Sequence, residues 1–585
     1  MESARDLEDR LCDVDRRGYP AYKSLRGSYD LGGLVLSIDH VQGDPFAAPS
    51  HVSVKVPAAT GRWPRAFFDA PHRKTALEDL LIRRFSRSLA RRSFAVGGSG
   101  KSGLLATSRP GPEILSRSAC EVAEDGTVTA RFEAGFPARG RTTDGRGLAH
   151  MLLDLVPDCV EEALICDDDA FEAARDVVDL ADDQRFIRTE LERRGLVAFV
   201  ADGSILPRAS GVSALPMRGA KPFVSPASLR VTLDLPHRGP TAGMGIRRGV
   251  TLIVGGGYHG KSTLLRALQE GVYDHVADDG RELVATDASA VKLRAEDGRA
   301  VSGVDISLFI NNLPDGRDTQ RFSTADASGS TSQAASCVEA LEAGCRALLV
   351  DEDTSATNFM MRDRVMEAVV ARDAEPITPF VERMRDLWER AGVSCVLVAG
   401  SSGAFFSVAD TVIQMDRYEA RDVTERVRSV CRELSVPETP RAGGFELPNG
   451  RREIRLDGLE PERSRGHGRG RGRGTAGEGG PARLKARSRG TDEIQVGRGM
   501  ADMRLVEQLV DPEQAAAIAQ MLKAAAERGL LSRGVTAPEA AGQLVKIAAD
   551  QGWRDISDHG EAACGLALPR VPEIVAAINR WRAEP

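Results

Sequence analysis

"GVTLIVGGGYHGKSTLLRAL", residues 249–268, sets an apolar β-branched run, a glycine-rich turn and a leucine-bearing helical pattern in immediate succession. The middle reads G-x-x-x-x-G-K-S from Gly255 to Ser262. A phosphate-binding P-loop needs that order: a strand, then a turn whose N–H groups cradle phosphate oxygens, then a helix whose N-terminus favours an anion. Gly255, Gly256, Gly257, Tyr258, His259 and Gly260 supply the turn. Lys261 would reach the β- and γ-phosphates, the Ser262 hydroxyl would take Mg²⁺, and Thr263 opens the helix. A buried strand running into such a turn predicts a doubly wound α/β domain with its chemistry at the carboxyl ends of parallel strands.

A second stretch, "FAVGGSGKSG" (94–103), offers glycines and Lys101. Ala95 stands where the first glycine belongs, and "LLATSRPGPE" follows where a helix is required. The phosphate site is therefore assigned to Lys261.

Working outward, "RALLVDED" (346–353) reads as a buried strand ending in two acids. Asp351 would hold Mg²⁺ and Glu352 would position or deprotonate the attacking water. Between the two motifs, "DASGSTSQAASCVEALEAG" (326–344) places Ser328, Gly329 and Ser330 before a helix starting near Thr331. Their placement 23 residues before Asp351 resembles an ATPase signature motif, whose serine, glycine and helix N-terminus contact a γ-phosphate held by another subunit, an ordinary Ser-rich N-cap being the alternative. "TSATN" (354–358) follows, ending in Asn358, and "CVLVAGSSGAFF" (395–406) supplies the next buried strand.

These motifs resemble the ABC class of ATPases. "GMGIRRGVTLIVGGGYHGKSTLLRAL", "FSTADASGSTSQA" and "LLVDEDTSATNFMMRD" are similar to a bacterial ABC-class family in which one ATPase domain lies between an N-terminal domain and a helical C-terminal domain. "GSYDLGGLVLSIDHVQGDPFAAPS" and "VEQLVDPEQAAAI" extend the resemblance over most of the chain. It implies a homodimer with ATP and Mg²⁺ held at two composite sites, Lys261 of one subunit facing Ser328 of the other. It also implies RNA-binding relatives. Three departures stand out: Gly400, Ser401 and Ser402 occupy the place of a switch histidine, Asp353 replaces a proline, and Asn358 replaces an aspartate. Slow hydrolysis is expected. His259 is a candidate to stand in for the switch, the alternative being a solvent-facing loop histidine. No glutamine matches the usual Q-loop; Asn311 and Asn312 are the nearest candidates.

The rest of the chain frames this domain. At 585 residues it exceeds one hydrophobic core, and 42% hydrophobic with 28% charged residues is ordinary for globular protein. Nine scattered cysteines without a CxxC pair argue against a disulfide framework or zinc ribbon and suit a reducing, cytoplasmic compartment. No apolar run approaches a membrane span, and only residues 263–327 separate the P-loop from the signature, leaving little room for a transporter's coupling subdomain. We expect an α+β N-terminal domain over 1–160, the ATPase domain over 161–445, an Arg/Gly-rich disordered linker over 446–490 and a helical domain over 491–585.

With a net charge of −7, nucleic-acid affinity must come from local basic patches. Two are candidates. Arg84, Arg87 and Arg91 line one side of the helical stretch 74–92 ahead of Lys101, whose glycine neighbours would let a phosphate approach. Arg465, Arg469, Arg471 and Arg473 alternate with glycine in a segment (463–490) of nine basic residues and one glutamate, suited to RNA phosphates and guanidinium stacking. Both patterns also fit solvated surface, and an ATP-dependent protein-assembly scaffold without nucleic acid is the competing function.

Overall fold

The computed structural model describes residues 1–363, 369–370, 375–400, 402–448, 452–454, 456, 458–459, 484–531, 534–557 and 563–583. Five buried clusters organise it, and the expected α/β core lies at the centre.

Six strands form the central sheet, in the order Val291–Leu293, Ala347–Asp351, Ser394–Val398, Val250–Val254, Thr411–Asp416 and Glu419–Asp422. The first five are parallel and the last turns back antiparallel. The central strands are covered on both faces rather than alternating: Ala347–Asp351 and Ser394–Val398 are buried at every position. Parallel register brings the ends of the P-loop strand, the "LLVD" strand and the "CVLV" strand to one edge. A four-stranded antiparallel sheet (Arg230–Leu235, Gly239–Arg247, Leu196–Ala201, Val284–Thr286) lies beside it.

The N-terminal region folds as a seven-stranded sheet crossed by the helix Pro71–Arg92. Leu77, Leu81, Phe85 and Leu89 are all buried, as their i, i+4 spacing requires. The expected hairpin is present: Cys120–Val122 pairs with Val128–Ala134 around Gly126 at φ +88°. The charged stretch that follows is the helix Asp168–Arg193.

The C-terminal region carries the helices Pro512–Glu527, Ala537–Gln551 and Val571–Asn579. The first starts at the Asp511-Pro512 step, with Asp511 and Gln514 forming a capping box. Two differences from the sequence reading appear here. A four-stranded antiparallel sheet (Ala486–Arg489, Glu493–Val496, Gly499–Asp502, Trp581–Ala583) accompanies the helices, and its first strand occupies part of the segment read as linker. Residues 503–510, read as helical, form a strap of turns in which Gln508 donates to the Gln269 carbonyl of the central α/β region.

Candidate nucleotide site

The P-loop leaves the central sheet at Val254 and enters the helix Lys261–Glu270. Two glycines are required by geometry. Gly255 lies at φ +142°, where a Cβ would stand 2.3 Å from the Met415 carbonyl oxygen. Gly260 lies at φ +100° as the N-cap, pressed against the Tyr418 ring. Lys261 Nζ donates to the carbonyls of Gly255 (2.8 Å) and Gly256 (2.9 Å), folding back over the loop it serves. Tyr258, at φ +63°, is 99% exposed on the loop's outer side.

His259, its side chain 37% exposed, is tied to the neighbouring hairpin. Its Nδ1 accepts the Arg417 N–H at 3.2 Å and lies 3.3 Å from Asp416, while its carbonyl accepts the Tyr418 N–H. The histidine clamps the P-loop to the hairpin between the last two strands of the sheet.

Asp351 ends its strand buried, its carboxylate accepting the Asp353 N–H at 3.2 Å. Burial pushes this carboxyl above the usual range, with the Lys292 ammonium opposing the shift. Asp351 and Ser262 line one cavity of about 700 Å³ together with Lys292, Thr354 and Glu507. A carboxylate and a hydroxyl are hard oxygen donors of the kind Mg²⁺ takes, leaving its other positions for phosphate and water. Among the described residues no cluster of three or more His, Cys, Asp or Glu side chains is arranged as an all-protein metal cage. Beside Asp351, Glu352 Oε2 accepts the Gly400 N–H at 2.6 Å. The glycine in the switch-histidine position thus holds the candidate base through its backbone. Ser402 caps its own turn by accepting the Ala404 N–H, and Ser401 lies outside the described residues.

The helix Gly329–Glu342 begins with Ser328 as N-cap, its hydroxyl accepting the Thr331 N–H. Ser328 is exposed, whereas Ser330 is buried and donates to Asn358 Oδ1. Gln333, one turn on, donates to Ser355 Oγ at 2.9 Å and accepts the Ala356 N–H at 2.8 Å. The signature turn and the segment after Glu352 are therefore one hydrogen-bonded body.

Three family models align with this arrangement: the N-terminal region of ABC-class ATPases over residues 4–167, the ABC ATPase P-loop domain over 170–446, and the MRB1590 C-terminal domain over 485–584. The chain carries an ABC-class P-loop domain together with the N-terminal region of that class. A curated relative, the uncharacterized protein MJ1628 of Methanocaldococcus jannaschii, is 29% identical over 248 residues, 41% of this chain and 54% of the relative. The chain thus spans about half the length of the curated relative it matches. Among solved structures, cbiO1 of Clostridium perfringens, part of the cbiONQ ABC transporter complex, is 14% identical with a TM-score of 0.26, covering 41% of this chain and 95% of that one. A bacterial Atm1-family ABC exporter with ATP bound is 12% identical with a TM-score of 0.25, covering 51% and 54%. No helix among the described residues is long and apolar enough to cross a membrane.

Other sequence candidates fall elsewhere. Asn311 donates to the Ser307 carbonyl of its own turn, and neither it nor Asn312 lines the Ser262–Asp351 cavity. Lys292, one strand from Asp351, takes the neighbouring place; no motif marks it. In "GGSGKSG" the N–H groups of Ser99, Lys101 and Gly103 donate to the carbonyls of Ala138, Pro45 and Gly135, so the loop's backbone faces the protein. A Cβ at Gly100 would meet the Pro45 carbonyl at 2.3 Å. Gly98, Gly100 and Gly103 are packed against neighbouring backbone, while the Lys101 side chain is exposed. Arg84 donates to the Glu162 carbonyl and Arg91 pairs with the Glu162 carboxylate, while Arg87 is exposed. Arg465, Arg469, Arg471 and Arg473 lie outside the described residues.

Proposed function

We propose that the chain binds and hydrolyses Mg²⁺–ATP at two composite sites of a homodimer, with slow turnover. The P-loop N–H groups and Lys261 hold the phosphates, and Ser262 with Asp351 would hold Mg²⁺, which neutralises charge on the β- and γ-oxygens when bound. Glu352 orients a water for in-line attack and takes its proton. The exposed Ser328 and its helix N-terminus close over the γ-phosphate of a second copy, whose own signature turn does the same in return. The observation that carries this reading is the cavity shared by Ser262 and Asp351, with Glu352, the next residue, held by the Gly400 N–H. A backbone donor in place of an imidazole lacks the switch group's contact with the γ-phosphate, which supports slow turnover. Phosphate release by the intact chain, and its loss in Glu352→Gln, tests the proposal.

We further assign the nucleotide cycle to RNA or other single-stranded nucleic acid, on the strength of the Arg-Gly repeats at 465–474. The division into domains at 1–160, 161–445, 446–490 and 491–585, and action in the cytoplasm, belong to the same proposal. The scaffold reading is favoured by one observation: Arg84 and Arg91 are engaged by Glu162 rather than open to a phosphate backbone.

A further inference from the structure

Lys292 is out of character with its strand. Val291–Leu293 is an edge strand of the central sheet, parallel to Leu348–Val350, and its middle residue stands opposite Leu349. Leu349 belongs to the apolar cluster beneath the P-loop helix, with Leu264 and Leu265, so an aliphatic side chain would satisfy this position. The lysine instead carries a half-buried ammonium into the cavity shared by Ser262 and Asp351.

That ammonium is thinly held. Nζ lies 3.3 Å from Thr354 Oγ1 and 3.4 Å from the Leu293 carbonyl oxygen, and it forms an ion pair with no carboxylate among the described residues. Charges withdrawn from water are normally paired. Two carboxylates act on this one from farther off: Asp351 on the neighbouring strand and Glu507 on the C-terminal strap. The strap is fixed beside it, since the Lys292 N–H donates to Gln508 Oε1 at 2.9 Å and Arg294 donates to Glu507 Oε1 at 2.7 Å. An ammonium on a flexible stem thus stands between a carboxylate of the phosphate site and a carboxylate of another region.

A divalent cation held by Ser262 and Asp351 brings two more positive charges into the same cavity. Like charges repel strongly where water is partly excluded, so metal and ammonium compete for Asp351. We propose that Lys292 is a positioning residue that sets the metal dependence of nucleotide binding. Its ammonium serves Asp351 and the phosphates when a triphosphate arrives without metal, and moves to Glu507 when Mg²⁺ takes Asp351. The proposal rests on the reading of Ser262 and Asp351 as the metal side of the site. It adds one residue from the sheet edge and one from the C-terminal region.

The test measures the affinity of the full chain for ATP twice, in excess EDTA and in Mg²⁺. The ratio of the metal-free to the Mg²⁺ dissociation constant reports the metal's contribution and cancels any loss common to both. We expect Lys292→Met to raise this ratio about tenfold, because metal-free ATP loses a cation and Mg²⁺ loses a competitor. Methionine is close to lysine in length and suits an apolar strand, and the melting temperature verifies that the variant folds. Lys292→Arg keeps the charge and stays near the wild-type ratio. Glu507→Gln lowers the ratio, because the ammonium then remains at Asp351 against the metal. An unchanged ratio in Lys292→Met overturns the proposal, and so does a rise in Glu507→Gln. Failure of the underlying reading is distinguishable: Asp351→Asn would then keep the wild-type ratio, which overturns both. A ratio that falls in Asp351→Asn but holds in Lys292→Met overturns the proposal alone.

Discussion

The Gly400 N–H donates to Glu352 Oε2 at 2.6 Å, joining the end of one buried strand to the first residue after its neighbour. Two parallel strands in register, Ala347–Asp351 and Ser394–Val398, make this possible, since their last residues Asp351 and Val398 are partners. Glu352→Gln keeps shape and removes the base. The variant is expected to bind ATP, lose turnover by about 10²-fold or more, and accumulate as a dimer. Phosphate release and sedimentation with ATP check it, with Ser328→Arg preventing the dimer; a Glu352→Gln chain that stays monomeric at saturating ATP excludes the composite site.

Two lysines follow glycines, and only one belongs to a phosphate site. Lys261→Ala is expected to abolish ATP binding, because the ammonium is poised on the Gly255 and Gly256 carbonyls at the mouth of the loop. Lys101→Ala is expected to leave ATP binding unchanged, its loop's N–H groups being committed to Pro45, Gly135 and Ala138. Calorimetric titration of both variants decides the assignment.

Deleting 463–490 addresses nucleic acid. The native end of that stretch includes the strand Ala486–Arg489, so the cleaner deletion is 463–483. Removing the arginines there should reduce the slope of log affinity against log salt by about 0.7 for each single-strand phosphate that is no longer neutralised. ATP affinity should not change. Titrating labelled RNA and single-stranded DNA at several salt concentrations gives the slope; equal slopes with and without the segment would reduce it to a tether.

Asp182 predicts a pH dependence. Burial pushes its carboxyl up, but hydrogen bonds from Arg73, His72 and His237 outweigh burial and bring it down to about 2. These contacts, at 2.7 Å from Arg73 and His72 and 3.0 Å from His237, tie the helices Pro71–Arg92 and Asp168–Arg193 to the segment before Gly239. A folded value below the ordinary carboxylate value means the contribution is complete above about pH 4 and is lost as pH falls toward 2. Asp182→Asn should therefore lower the melting temperature near pH 7, and its deficit against wild type should shrink on acidification through that window. A deficit constant from pH 7 to 3 would show the ionised carboxylate to be irrelevant.

Gln508 is the strap's anchor. Its amide donates to the carbonyls of Gln269 and Ala290 within buried protein, and its oxygen accepts the half-buried Lys292 N–H at 2.9 Å. Gln508→Ala leaves buried backbone groups unpaired, with an expected loss of about 2 to 4 kcal/mol. Hydrogen exchange should accelerate first across 484–583; protection unchanged there would mean the strap does not secure the C-terminal region.

The motifs legible in the sequence were those whose chemistry constrains a short window. A P-loop needs its glycines, lysine and serine within eight positions, and a signature serine needs a helix directly after it. Residues brought together by strand pairing left no such trace. Lys292 reaches the cavity only because Val291–Leu293 pairs with Leu348–Val350. The C-terminal sheet was hidden because its strands are only three or four residues long, and one of them, Trp581–Ala583, joins Gly499–Ala501 from the far end of the region. Arg417-Tyr418 concealed its turn by lacking the glycine or asparagine that turn rules look for.

The strap ties the molecule's regions together. Gln508 grips the last turn of the P-loop helix through the Gln269 carbonyl, and the Tyr273 hydroxyl, just past that helix, donates to the Gln508 carbonyl. On the far side of the same region Arg117 of the N-terminal region is buried against Asp511 and Glu513. None of these groups can part without stranding a buried donor or charge. The P-loop helix, the C-terminal region and the N-terminal region are therefore linked by one series of buried polar contacts running from Gln269 through Gln508 to Arg117.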